Sequence, residues 1–123
     1  MSERPEMWLV MRGDELVAEL DVERLDPLWF CGRVTRRWGF WPLQTLFDRE
    51  EQLARRVHRD PAAWARAYRR VRREVRLVRP DGHLVPEFIL HIDGPQARWR
   101  CWNRESTNWL DEQLAATPRA RPK

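Results

Sequence analysis

Residues 7–11 and 16–22 either alternate apolar and polar positions or run continuously apolar. Arg12-Gly13-Asp14-Glu15 between them is rich in turn formers, so the pattern predicts a β-hairpin. Asp26-Pro27 breaks the chain before a third strand, Leu28 to Val34, which is rich in aromatic and β-branched residues. The stretch Thr35 to Trp41 fits a loop or a continuation of that strand. From Pro42 to Val57 the apolar positions Leu43, Leu46, Phe47, Leu53, Ala54 and Val57 fall at offsets 0, 3, 4, 10, 11 and 14, the period of an amphipathic helix. Asp60-Pro61 then restarts a helix, because an aspartate can cap free amides and a proline at the first helical position loses no hydrogen bond. That second helix is predicted over Pro61 to Glu74. At 100° per residue, Trp64, Tyr68, Val71 and Val75 share one narrow face, while Arg66, Arg69, Arg70 and Arg73 share the opposite one, with Arg72 on a flank.

The remainder predicts strands at Val75 to Arg79, Leu84 to Ile92 and Gln96 to Asn103, with turns at Pro80-Asp81-Gly82-His83 and Asp93-Gly94-Pro95. Pro86 places the start of the middle strand at an edge or a bulge. A terminal helix is expected from Ser106 to Ala116 and a frayed tail from Thr117 to Lys123. The fold class is therefore α+β, an antiparallel sheet built from two three-strand meanders in the order β-β-β-α-α-β-β-β-α, with the helices mainly on one face. The chain divides into a single domain, 1–116, and a flexible basic tail, 117–123. The pattern leaves open whether the third strand joins the same sheet as the last three.

A sheet covered by helices on one side should be polar on the other. Here Met7, Leu9 and Met11 oppose Trp8 and Val10, and Val85 and Ile89 oppose Leu84, Phe88, Leu90 and Ile92, so both sides carry apolar bulk. The second side can be covered by strong curling of the sheet, by the loop of Trp38, Phe40 and Trp41, or by another copy of the chain. The expectation is a homodimer, alone or combined with the loop.

Composition changes this picture little. With 123 residues, 42% hydrophobic and 34% charged, the chain is neither disordered nor membrane-resident by composition, and no apolar run is long enough for a membrane span or a signal peptide. Cytoplasmic residence is expected. Of the 23 basic residues 22 are arginine, a bias that a high-GC bacterial genome produces without selection for function. The clustering says more. Residues 55–79 hold 10 Arg against Asp60 and Glu74, a net +8, whereas residues 1–54 carry −4 and residues 80–123 carry none.

Little in the chain suggests catalysis. His58, His83 and His91 have no nucleophile setting around them, no glycine-rich phosphate loop exists among the 5 Gly, and Cys31 and Cys101 show no zinc spacing. No catalytic residue, cofactor or metal ligand is assigned. The function expected is a small accessory module, self-associating or docking an acidic protein through Arg66, Arg69, Arg70 and Arg73. The runner-up is nucleic-acid binding. There the same arginines would contact phosphates while Arg36, Arg37, Trp38 and Trp41 in the loop, with Arg98, Arg100 and Trp102 in the last strand, would stack bases. The competing account is a solvated helix face neutralised by Glu15, Glu19, Asp21 and Glu23, or by Glu50 and Glu51.

Overall fold

A computed structural model describes residues 7–26 and 28–102; the expected terminal helix and tail lie outside them. The first three strands are β1 (Met7–Arg12), β2 (Glu15–Leu25) and β3 (Phe30–Arg36). They form the predicted meander. Gly13, at φ 61, takes the first central position of the β1–β2 turn, a conformation that a side chain would oppose. A 3-10 turn, Trp38–Leu43, leads into α1 (Gln44–Ala54), and α2 (Pro61–Glu74) follows. The carboxylate of Asp60 accepts from Ala63 N at 3.1 Å, so the predicted cap is made. The chain then adds β4 (Arg76–Val78), β5 (Glu87–Asp93) and β6 (Gln96–Trp102).

All six strands join one antiparallel sheet in the order β4-β1-β2-β3-β6-β5. The third strand does join the last ones, through β3 and β6. The second predicted meander is not formed as such. β4 pairs with β1, placing Leu77 opposite Val10, and meets the following segment only through a Val78–Leu84 bridge and the Val85 N–H to Leu77 carbonyl bond. Two causes combine. Val75 and Leu77 are buried only if the strand leaving α2 turns onto the free edge of β1. Pro86 lacks an N–H, so regular pairing resumes only at Glu87.

The sheet curls until it is nearly a barrel. Trp8 on β1 lies 5.0 Å from Phe30 on β3 and 5.8 Å from Trp99 on β6, centroid to centroid. Strands spaced about 4.8 Å apart would put β1 and β6 about 14 Å apart in a flat sheet, so these contacts require strong curvature. Part of it arises where β2 bulges at Val22/Arg24 opposite Gly32, whose backbone approaches the Asp21 carbonyl too closely to admit a Cβ. The helices stop the remaining gap. Tyr68 of α2 donates through its hydroxyl to the Phe88 carbonyl at 2.7 Å and accepts from Leu90 N–H at 3.2 Å, capping the free edge of β5. Beyond Val75 the same helix continues into β4, the opposite edge.

This accounts for the doubly apolar pattern of β5. Trp8, Val10, Leu20, Leu90, Ile92 and Trp99 fill the inside of the curl, while Ile89 and His91 on the other face of β5 are buried, with α1 packed on that strand. On β5 the cover comes from the same chain, while Met7, Leu9 and Met11 on the other face of β1 are half-buried. Phe40 of the aromatic loop is buried, but Trp38 and Trp41 remain 87% and 54% exposed. Cys31 pairs with Arg98, and Cys101 shares the opposite face with Trp99, so the sheet separates the two free thiols.

Candidate functional site

Between α1 and α2 runs a groove of about 570 Å³. Its floor is apolar, with Leu43 and Leu46 on one side and Ala63 and Ala67 on the other. Its walls carry Arg12, Arg49, Arg66 and Arg70 against one acid, Glu74. Glu74 is engaged by Arg12 at 2.8 Å, and Arg49, Arg66 and Arg70 are exposed with no ion pair among the described residues. The helical phase explains this arrangement. Trp64, Tyr68 and Val71 face inward against α1 and β5, which turns the arginine side of α2 to solvent.

Arg66, Arg69, Arg70 and Arg73 are all exposed, as their phase predicts; Arg66 and Arg70 line the groove, whereas Arg69 and Arg73 do not. The acids proposed as neutralisers go elsewhere: Glu19 to Arg37 at 2.7 Å, Glu23 to Arg33 at 3.5 Å and Glu51 to Arg55 at 3.2 Å. Arg36 binds Gln44 Oε1 at 3.0 Å and lies over Phe40, so the loop arginines are occupied locally. In the last strand the basic and aromatic residues part onto opposite faces. Trp99 is in the core, while Arg98 and Arg100 stand 5.2 and 5.8 Å from the ring of Trp29. Trp102 contributes backbone to β6, and its side chain is outside the described part.

A second constellation was not singled out by the sequence. Glu50 and Glu51 of α1 meet His91 of β5, and all three are buried. His91 Nδ1 lies 2.7 Å from Glu50 Oε2 and 3.9 Å from Glu51 Oε1. The indole N–H of Trp64 donates to Glu50 Oε2 at 2.9 Å. Arg55 donates to Glu51 Oε2 at 3.2 Å and to Asp93 Oδ2 at 2.7 Å; these partners, the Glu51 bond foremost, raise its affinity for its proton. Trp29 stacks on the imidazole, with ring centroids 5.6 Å apart. Glu51 and His91 also border a pocket of about 220 Å³ flanked by Arg24 and Arg98. One signal was present. In the helical series of Leu43, Phe47 and Ala54, the place seven residues after Leu43 is taken by Glu50, a carboxylate in the apolar stripe.

His83, in its turn, is exposed and donates its N–H to Asp81 Oδ1 at 3.0 Å; His58 is exposed as well. Among the described residues no helix is long and apolar enough to cross a membrane. Compared with known proteins, the chain matches no family model, no curated protein and no solved structure.

Proposed function

We propose that this protein is a docking module that takes an acidic, amphipathic segment of a partner protein into the groove between α1 and α2. One observation carries the reading: guanidinium groups of Arg49, Arg66 and Arg70, with no ion pair among the described residues, rim an apolar floor. A helix with carboxylates on its flanks and leucines on one face would satisfy both parts, burying its apolar stripe on Leu43 and Leu46 while its acids meet the arginines. Planar guanidinium groups suit this role, since each can hold a carboxylate through two parallel hydrogen bonds. A nucleic acid would use the arginines but gain nothing from the floor.

The test uses a fluorescein-labelled peptide with Glu and Leu at helical spacing, and an oligothymidylate of similar charge, read by anisotropy. The peptide should bind saturably. Binding should fall about tenfold or more in Arg66→Gln/Arg70→Gln, a loss of at least about 1.4 kcal/mol, and also in Leu46→Asp. Peptide binding absent, or indifferent to both variants, overturns the reading. Tighter oligonucleotide binding that responds to the arginines and ignores Leu46→Asp replaces it with the nucleic-acid one.

A further inference from the structure

We infer that Glu50, Glu51 and His91 form a binding site for one divalent transition-metal ion, independent of the α1–α2 groove. Three donor groups from two elements, two carboxylates and one imidazole, place ligand atoms within 4.8 Å of one another. An ion about 2.0–2.2 Å from each ligand holds its ligands roughly 3.0–3.4 Å apart. The observed separations, 2.7 Å from His91 Nδ1 to Glu50 Oε2 and 3.9 Å from His91 Nδ1 to Glu51 Oε1, straddle that spacing.

The second observation is the state of the atoms themselves. His91, its side chain 9% exposed, has Nδ1 within 4 Å of both carboxylates, at 2.7 and 3.9 Å, yet this nitrogen has no hydrogen-bond partner among the described residues. The same holds for Glu50 Oε1, on a residue with no exposure at all, and for Glu51 Oε1. A buried donor or acceptor left unsatisfied is costly, and a buried carboxylate more so. Here three such atoms, one on each side chain, belong to residues whose ligand atoms lie within 4.8 Å of one another. An ordinary ion pair would align the imidazole N–H on its acceptor, and no such alignment is made although only 2.7 Å separates the atoms.

The outer contacts are those a metal site uses. Trp64 and Arg55 each hold the Oε2 of one glutamate, leaving each Oε1 uncommitted and both carboxylates oriented. The donor set of two oxygens and one nitrogen, without thiolate, suits borderline ions such as Zn²⁺, Fe²⁺ or Co²⁺, and the harder Mn²⁺ through its carboxylates, over Mg²⁺, which holds its waters. Glu51 and His91 border the smaller pocket, so the remaining coordination positions are open to water or to an anion drawn there by Arg98.

The test treats the purified full chain with chelator, dialyses it, and titrates it with Zn²⁺, Co²⁺ and Mn²⁺, with Mg²⁺ as control. One equivalent should bind, with a rise in the thermal midpoint. Affinity should drop about tenfold or more in His91→Gln and in Glu51→Gln, and stay unchanged in His58→Gln. If the buried substitutions unfold the chain, Mn²⁺ added to the unmodified protein should broaden the indole N–H resonances of Trp64 and Trp29 before the others. Absence of binding by all three ions, affinity unchanged in a folded His91→Gln, or broadening centred on other indoles each overturns the site.

Discussion

The phenol of Tyr68 stands where a seventh strand would begin, its hydroxyl 2.7 Å from the carbonyl oxygen of Phe88. Since the Tyr68 hydroxyl oxygen also accepts from the Leu90 N–H at 3.2 Å, one side chain occupies two main-chain groups on the strand-free side of β5. Tyr68→Phe keeps the ring and orphans both groups in a buried position. Stability should fall by at least about 1–3 kcal/mol, seen as a lower urea midpoint at unchanged slope. An unmoved midpoint would show that the edge is not closed by this contact.

Alkali should find the same residue. Tyr68 is the single tyrosine, and burial raises its pKa well above the ordinary value, with Glu50 adding to the effect and Arg72 opposing it. Burial also pushes the Cys101 thiol up to about 11. Both groups keep protons in the folded chain that the unfolded chain surrenders, near pH ~8.5 for cysteine and ~10 for tyrosine. Stability from these two groups is therefore complete below pH ~8.5 and declines as pH rises through that range. Tyrosinate absorbance should appear together with loss of the folded circular dichroism signal. Ionisation of Tyr68 ahead of unfolding would contradict its burial.

The two central glycines should respond differently to alanine. At Gly32 the new methyl would strike the main-chain carbonyl of Asp21, which cannot move without breaking the β2–β3 ladder. At Gly39 it meets only the carboxylate end of Glu15, which can swing away. Gly32→Ala should cost at least about 4 kcal/mol or abolish folding, and Gly39→Ala about 1 kcal/mol or less. Thermal melts of the pair decide this.

Replacing exposed arginines of α2, two of them in the groove, should leave the fold alone. Arg66→Gln, Arg70→Gln and Arg73→Gln concern exposed side chains and should each change stability by less than about 0.5 kcal/mol. Asp60→Ala, which removes the cap of the same helix, should cost about 1 kcal/mol. Equal losses from the cap and an arginine would mean that the arginines serve folding rather than binding.

Local periodicity made much of this legible. The phase of Trp64, Tyr68 and Val71 alone assigns the buried and cationic sides of α2, because a helix orders its side chains without help from distant residues. The partner of β4 was not legible. Whether Leu77 lies beside Val10 or beside β5 depends on a pairing more than sixty residues away in sequence, which no local pattern encodes. The interleaved arginines and tryptophans of β6 misled for a related reason: strand alternation sends Trp99 inward and Arg98 outward, so neighbours in sequence do not share a surface. The meeting of Glu50 with His91 was hidden by the forty residues between them, although a carboxylate within an apolar helical stripe marked half of it.

The contact of Trp8 with Trp99 bears on how the chain comes into being. One indole leaves the ribosome ninety-one residues before the other, so the interior cannot be sealed until the second has emerged. Until the second arrives, Trp8 has Phe30 as its only aromatic neighbour of this trio, and the growing polypeptide is a client for any chaperone that recognises bare indole. Sealing of this interior thus waits for Trp99, and a nascent chain stalled before it should remain sensitive to protease along its whole emerged length.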